Sequence, residues 1–194
     1  MSLKELSKNL QTEDEFHTFV KKERVIRRTL GFKNHHEKMS DIIRSHKHEE
    51  ERKTNLKCFQ TDWHLHDQYR SINNIAVKAI DLAININMVD QKGNIEKYWV
   101  YDCWGAIYEQ NDYAKPHTHG PALWSFCYYI KIPEHSPPLY FPQAKLKVFP
   151  KPDEMIMFPG HVIHEVPKAT EMIGERIVVA GNVYLDYRGL KSNT

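Results

Sequence analysis

Between residues 67 and 88 the apolar positions Ile72, Ile75, Ala76, Ala79, Ile80, Ala83 and Ile84 recur at three- and four-residue spacing. That period predicts an amphipathic helix of several turns whose apolar stripe covers a sheet. An earlier helix is predicted from Thr12 and Glu15, which make a capping box, followed by Phe16, Phe19, Val20 and Ile26 near one helical face. Residues 35–53 are mostly charged, with only Met39, Ile42 and Ile43 apolar, and read as a loop plus a solvated helix. Beyond the turn signal Gly93 and Asn94 the pattern changes to short runs rich in aromatic and β-branched residues. Strands are predicted at 95–108, 123–132, 139–141, 145–149, 155–158, 162–166 and 175–185, separated by proline-rich turns such as 133–138.

Helices followed by strands of this spacing point to a mainly β chain with some α, arranged as a sandwich or jelly roll with N-terminal helices packed on one sheet. The expected organisation is a helical supporting region at 1–94, loop-like around 35–60, a sheet core carrying the site at 95–187 and a tail at 188–194. With 194 residues and 41% hydrophobic content, one sizeable core is available and one site is sought in it. The 27 basic and 25 acidic residues leave a net charge of +2, so no nucleic-acid partner is required. Cys58, Cys103 and Cys127 form no CxxC pair, which suggests neither a disulfide framework nor a zinc ribbon and places the chain in a reducing cytoplasm. No apolar signal core and no stretch of about 20 apolar residues is visible, so no membrane span is expected. A homodimer is compatible with the sequence, which does not fix the oligomeric state.

Candidate chemistry centres on Pro116-His117-Thr118-His119-Gly120. In extended backbone, residues two apart face the same side, so His117 and His119 can address one metal. His164 lies 45 residues further on, just past an apolar strand and a turn, and in a jelly roll it can converge on the pair. Arg176 opens the apolar run Ile177-Val178-Val179-Ala180, where an isolated guanidinium calls for an anionic partner. Tyr108 ends the strand leading to the His-x-His loop. Plainer readings stand beside these: His164 could be a turn histidine, and Arg176 could pair with Glu171 or Glu175 at the surface. His161 reads as a rim residue or substitute ligand, and Asn182 as a cavity hydrogen-bond donor or a strand-end group. Trp104, Trp124, Tyr129 and His161 are candidates for lining a substrate pocket, although aromatic residues in strands are first of all packing groups. Cys103 and Cys127 read as buried small apolar groups. His64 and His66 form a second His-x-His without a visible distal partner, and His35, His36, His46 and His48 lie among charges and read as solvated.

These residues resemble the small 2-oxoglutarate and iron(II)-dependent oxygenases of bacteria and phages, relatives of the prolyl-hydroxylase-like dioxygenases. The matching pieces are Trp104 through Tyr108, Pro116-His117-Thr118-His119, the run Tyr128 to Pro133, Met157-Phe158-Pro159 with His164-Glu165-Val166-Pro167, and Arg176-Ile177 with Gly181-Asn182. The resemblance spans roughly residues 98–185. It implies a cupin-like double-stranded β-helix with iron(II) held by His117, His119 and His164. It also implies 2-oxoglutarate gripped at its far carboxylate by Arg176, with Tyr108 and Asn182 as cofactor-binding helpers. The reaction implied is hydroxylation coupled to decarboxylation of the keto acid. The substrate is open: a protein side chain, a nucleobase or a small metabolite. One departure is His119, where the wider superfamily has Asp or Glu. Three neutral imidazoles are also the ligand set of cupin dioxygenases that use no cosubstrate, and a non-catalytic jelly-roll binding module is the alternative from another class.

Overall fold

The computed structural model of the chain describes residues 23–47, 56–87 and 97–185. Strands β1 (Ile26–Thr29), β2 (Leu56–Lys57) and β3 (Phe59–Gln60) alternate with helix α1 (His36–Ser45) in its first part. The short α2 (Leu65–Gln68) and the long α3 (Arg70–Asn87) follow. Then come β4 (Tyr98–Tyr108), β5 (Tyr113–His117), β6 (Trp124–Lys131), β7 (Leu139–Phe141), β8 (Leu146–Val148), β9 (Glu154–Pro159), β10 (His164–Val166) and β11 (Arg176–Leu185). They form a six-stranded sheet in the order β1-β9-β6-β11-β4-β3 and a five-stranded sheet in the order β2-β5-β10-β7-β8. Every pairing between named strands is antiparallel.

Period-two alternation divides the six-stranded sheet into two faces. Cys103, Ile107, Phe126, Tyr128, Ile130, Ile177, Val179 and Val183 face the helices and pack with Met39, Ile43, Ile72, Ile75, Ala79, Leu82 and Ala83. Trp104, Ala106, Tyr108, Tyr129, Val178 and Ala180 face the second sheet and pack with Ala114, Leu139, Phe141, Phe158 and Val166. Each fully buried Ile or Leu contributes roughly 1.5–3 kcal/mol to this arrangement, so the α3 stripe alone ties helix to sheet.

The N-terminal part is less helical than its sequence suggests. Ile26, assigned to a helical face, lies in β1, which extends the large sheet against β9, and β2 and β3 add edge strands to both sheets. Helix α1 is not wholly solvated, because Met39, Ser40 and Ile43 are buried against the sheet. His36 is correspondingly half-buried: its Nε2 lies 2.7 Å from the Tyr128 hydroxyl, which donates to Asp153 at 2.7 Å. The Thr12 capping box and His48 lie outside the described residues. No described helix is long and apolar enough to cross a membrane.

Candidate metal centre

His117 ends β5 and stands directly opposite His164, the first residue of β10. Residues opposed in this way on one face hold their Cβ atoms about 5 Å apart, and the two ring centroids are 4.3 Å apart. His119 lies two residues further, in a turn fixed by its N–H to the Gly160 carbonyl (2.7 Å) and by the Ala122 N–H to its own carbonyl (2.8 Å). Its ring is 5.0 Å from that of His117 and 5.1 Å from that of His164. One nitrogen of each ring lies within 4.8 Å of the others, and among the described residues no second group of three His, Cys, Asp or Glu meets that condition.

The local hydrogen bonds prepare two of these rings as ligands. His117 Nδ1 is 2.6 Å from the Lys115 carbonyl and His164 Nδ1 is 3.0 Å from the Val162 carbonyl. A carbonyl only accepts, so each Nδ1 carries the proton and each Nε2 keeps its lone pair. Burial lowers all three pKa values, to about 4 for His119 and about 3 for His164. The imidazoles are therefore neutral at pH 7, and a divalent cation need not displace protons to bind. Three neutral nitrogen donors suit a first-row divalent metal.

Strands β6, β11 and β4 run side by side beneath this cluster, and their cavity-facing residues form rungs set by the register. At the mouth, Ser125, Asn182 and Asp102 are in register across the three strands. The Ser125 hydroxyl donates to Asn182 Oδ1 (2.7 Å), Asn182 Nδ2 donates to Asp102 Oδ2 (2.9 Å), and the same nitrogen is 3.4 Å from His119 Nδ1. Further in, Arg176 pairs with Tyr108. The Arg176 side chain is 2% exposed. It donates from Nη1 to the Pro137 carbonyl (2.7 Å) and from Nη2 to the Tyr129 hydroxyl (3.4 Å), while Nε has no partner. The guanidinium carbon lies 5.5 Å from the Tyr108 ring centroid and 5.1 Å from that of Tyr129. Glu175 pairs with Arg44 and Lys47 instead, so among the described residues no carboxylate neutralises Arg176. A narrow inner cavity (≈ 40 Å³) connects Arg176, Tyr108, Tyr129 and Cys127 with His117, His119 and His164.

A wider groove of ≈ 370 Å³ opens over the histidines, lined by Leu56, Gln60, Trp63, Asp102, Trp104, His117, Thr118 and His119. Trp104 thus lies where a substrate could meet the metal, whereas Tyr129 reaches Arg176 at the inner end. Trp124 packs in the helix-side core, on the face away from the cavity. His161 lines a separate apolar hollow of ≈ 620 Å³ with Trp99, Tyr101, Leu123 and Tyr184, and its Nε2 is 2.9 Å from Glu23. Asn182 sits beside His119, at the other end of β11 from Arg176. His64 is hydrogen-bonded to the Tyr101 carbonyl (3.1 Å) and sits 6.3 Å from His66, ring to ring. Cys103 is buried on the helix side, Cys127 is half-buried on the cavity side, and all three cysteines are free. Gln60, Trp63 and Asp102 were not singled out from sequence. Asp102 was detectable in principle, since it shares the phase of Trp104, Ala106 and Tyr108 on one strand and is the polar residue of that set.

No protein-family model matches the sequence, and no curated protein does. Solved structures do match. The viral collagen prolyl hydroxylase of Paramecium bursaria Chlorella virus-1, in complex with 2-oxoglutarate, gives a TM-score of 0.64 at 20% identity, covering 84% of this chain and 96% of that one. A Pseudomonas putida prolyl-4-hydroxylase gives 0.60 at 15% identity over 82% and 91%. The Trichoplax adhaerens prolyl hydroxylase, solved with a hypoxia-inducible-factor peptide fragment, gives 0.56 at 17% identity over 86% and 84%. At these identities the likeness is one of architecture: the chain has the double-stranded β-helix fold that 2-oxoglutarate and iron(II)-dependent oxygenases share.

Proposed function

We propose that this protein is a 2-oxoglutarate and iron(II)-dependent dioxygenase. The observation that carries the reading is Arg176, a guanidinium buried in the cavity that also holds three converging histidines, with no carboxylate beside it among the described residues. A buried, uncompensated cation is costly unless a ligand supplies the anion. A slim dicarboxylate spanning the cavity would offer one carboxylate to Arg176 as a planar fork, with the Tyr129 hydroxyl beside it, and its other end to the metal. His117, His119 and His164 would hold the iron, and because they are neutral, the near carboxylate of the keto acid would offset one of the metal's two positive charges while the far carboxylate offsets Arg176. With dioxygen as the oxidant, the bound pair would supply oxidative decarboxylation of the keto acid to succinate and carbon dioxide, coupled to hydroxylation of a substrate C–H bond. The chain's own part is to fix the imidazole tautomers through the Lys115 and Val162 carbonyls, to orient the keto acid from Arg176, and to exclude water with Trp104, Leu139 and Val166. We also propose a reducing compartment such as the cytoplasm, in keeping with three free cysteines.

Iron(II) added without oxygen, followed by 2-oxoglutarate, should give the visible metal-to-ligand charge-transfer band of a chelated keto acid. Iron binding without that band would favour a three-histidine dioxygenase that needs no cosubstrate, a reading supported by His119 in place of a carboxylate. Failure to bind any first-row metal stoichiometrically would leave a non-catalytic binding module.

A further inference from the structure

We propose that the groove over the metal cluster selects a cationic substrate group, an amine or a guanidine, with Asp102 as its counter-ion. The inference rests on the oxygenase reading and deepens it. Among the described residues lining the groove, Asp102 is the single one with a formal charge, and no Lys or Arg contributes to the wall.

One oxygen of Asp102 accepts from Asn182 at 2.9 Å, and the other, Oδ1, is shut off from solvent without a hydrogen-bond partner. Burial raises its pKa overall, and Asn182, Tyr184 and the nearby His64 offset that only in part. With Asn182 and Tyr184 as its hydrogen-bonding neighbours and no cationic side chain in the groove wall, the ionised carboxylate presents negative charge that a cation in the groove can offset. Asn182, anchored on its far side by Ser125, holds the carboxylate in the wall. Indole rings complete the site. Trp104 lies beside His119 at a centroid distance of 6.0 Å, and Trp63, 46% exposed, lines the groove, where an indole attracts a cation. A flexible aliphatic stem ending in a cation would lie along this groove with its charge at Asp102 and its C–H groups toward the histidines.

The test uses the full chain loaded with nickel(II) and 2-oxoglutarate, titrated with Nα-acetyl-L-lysine amide, Nα-acetyl-L-arginine amide and the uncharged isostere Nα-acetyl-L-norleucine amide, with binding read by indole fluorescence. Lysine or arginine amide should bind about tenfold or more tightly than norleucine amide, as a partly desolvated charge pair gives. That preference should disappear in Asp102→Asn and persist in Asp102→Glu. Because the asparagine variant could disturb folding, the wild-type preference is also measured against sodium chloride, which should erode it. Equal binding of charged and neutral amides by the wild type, or a preference that salt does not weaken, overturns the proposal. So does an Asp102→Asn variant that folds and keeps the preference. The charge-transfer band in the iron-loaded wild type separates the two readings: a band without amine preference rejects the cation site alone, and absence of the band rejects the oxygenase reading.

Discussion

Arg176→Met should act with opposite signs on the ligand-free protein and on its complex. In the ligand-free state the guanidinium makes one good hydrogen bond, to the Pro137 carbonyl at 2.7 Å, and a long one to Tyr129 at 3.4 Å. Losing the first costs about 1 kcal/mol, or up to about 3 kcal/mol if the carbonyl is left unsatisfied. Removing a buried charge without an anionic partner relieves a penalty of several kcal/mol. Methionine fills much of the same length, so the ligand-free variant should match or exceed the wild type in urea denaturation. Ligand binding should respond the other way. Removing one partner of a buried charge pair costs about 2–5 kcal/mol, which is roughly a thirty- to several-thousand-fold loss of 2-oxoglutarate affinity. With nickel(II) bound and 2-oxoglutarate at about 100 times its wild-type Kd, the wild type should gain about 2.7 kcal/mol of stability. The variant should gain about 0.9 kcal/mol or less, while nickel binding itself is unchanged. Two results would refute the reasoning: equal stabilisation of both proteins by 2-oxoglutarate, or a ligand-free variant destabilised by more than about 3 kcal/mol, beyond what the Pro137 bond explains.

His164→Ala or His117→Ala should abolish tight binding of a first-row divalent metal, measured as metal per chain after anaerobic gel filtration, whereas His161→Ala should retain it because His161 lines a different hollow. Gly105→Ala should destabilise by about 1–3 kcal/mol, since its Cβ would come 2.5 Å from Ile43 Cγ1 on α1. Combining it with Ile43→Ala should cost less than the sum of the two single variants in denaturant melts. Burial raises the Glu175 carboxyl's pKa, but the Arg44 hydrogen bond and the charges of Arg44 and Lys47 outweigh it and hold the group below its usual range. A depressed carboxylate pKa adds stability above the unfolded value of about 4.5, lost as pH falls through the folded value. Glu175→Gln should therefore lower stability at neutral pH modestly, by about 1 kcal/mol or less, and flatten the acid limb of a plot of urea midpoint against pH.

Several of these features could be read from the chain itself. The 3.6-residue period of α3 and the alternation along β4, β6 and β11 are local patterns, so the helices, most strands and the jelly-roll class follow from them. The His117-x-His119 spacing and an arginine opening an apolar run are local too. Tertiary structure decided the rest. β1, β2, β3 and β5 run five residues or fewer, too short for a clear period, and exist because a distant strand offers its edge. Alternation fixes that a strand has two faces without saying which one meets the cavity, so Trp104 and Trp124 look alike in sequence and point to opposite cores. Arg176 stands without a carboxylate because α1 draws Glu175 to Arg44 and Lys47. Asp102 and Asn182 meet because β4 and β11 pair in one register, a long-range choice made by the packing of both sheet faces together.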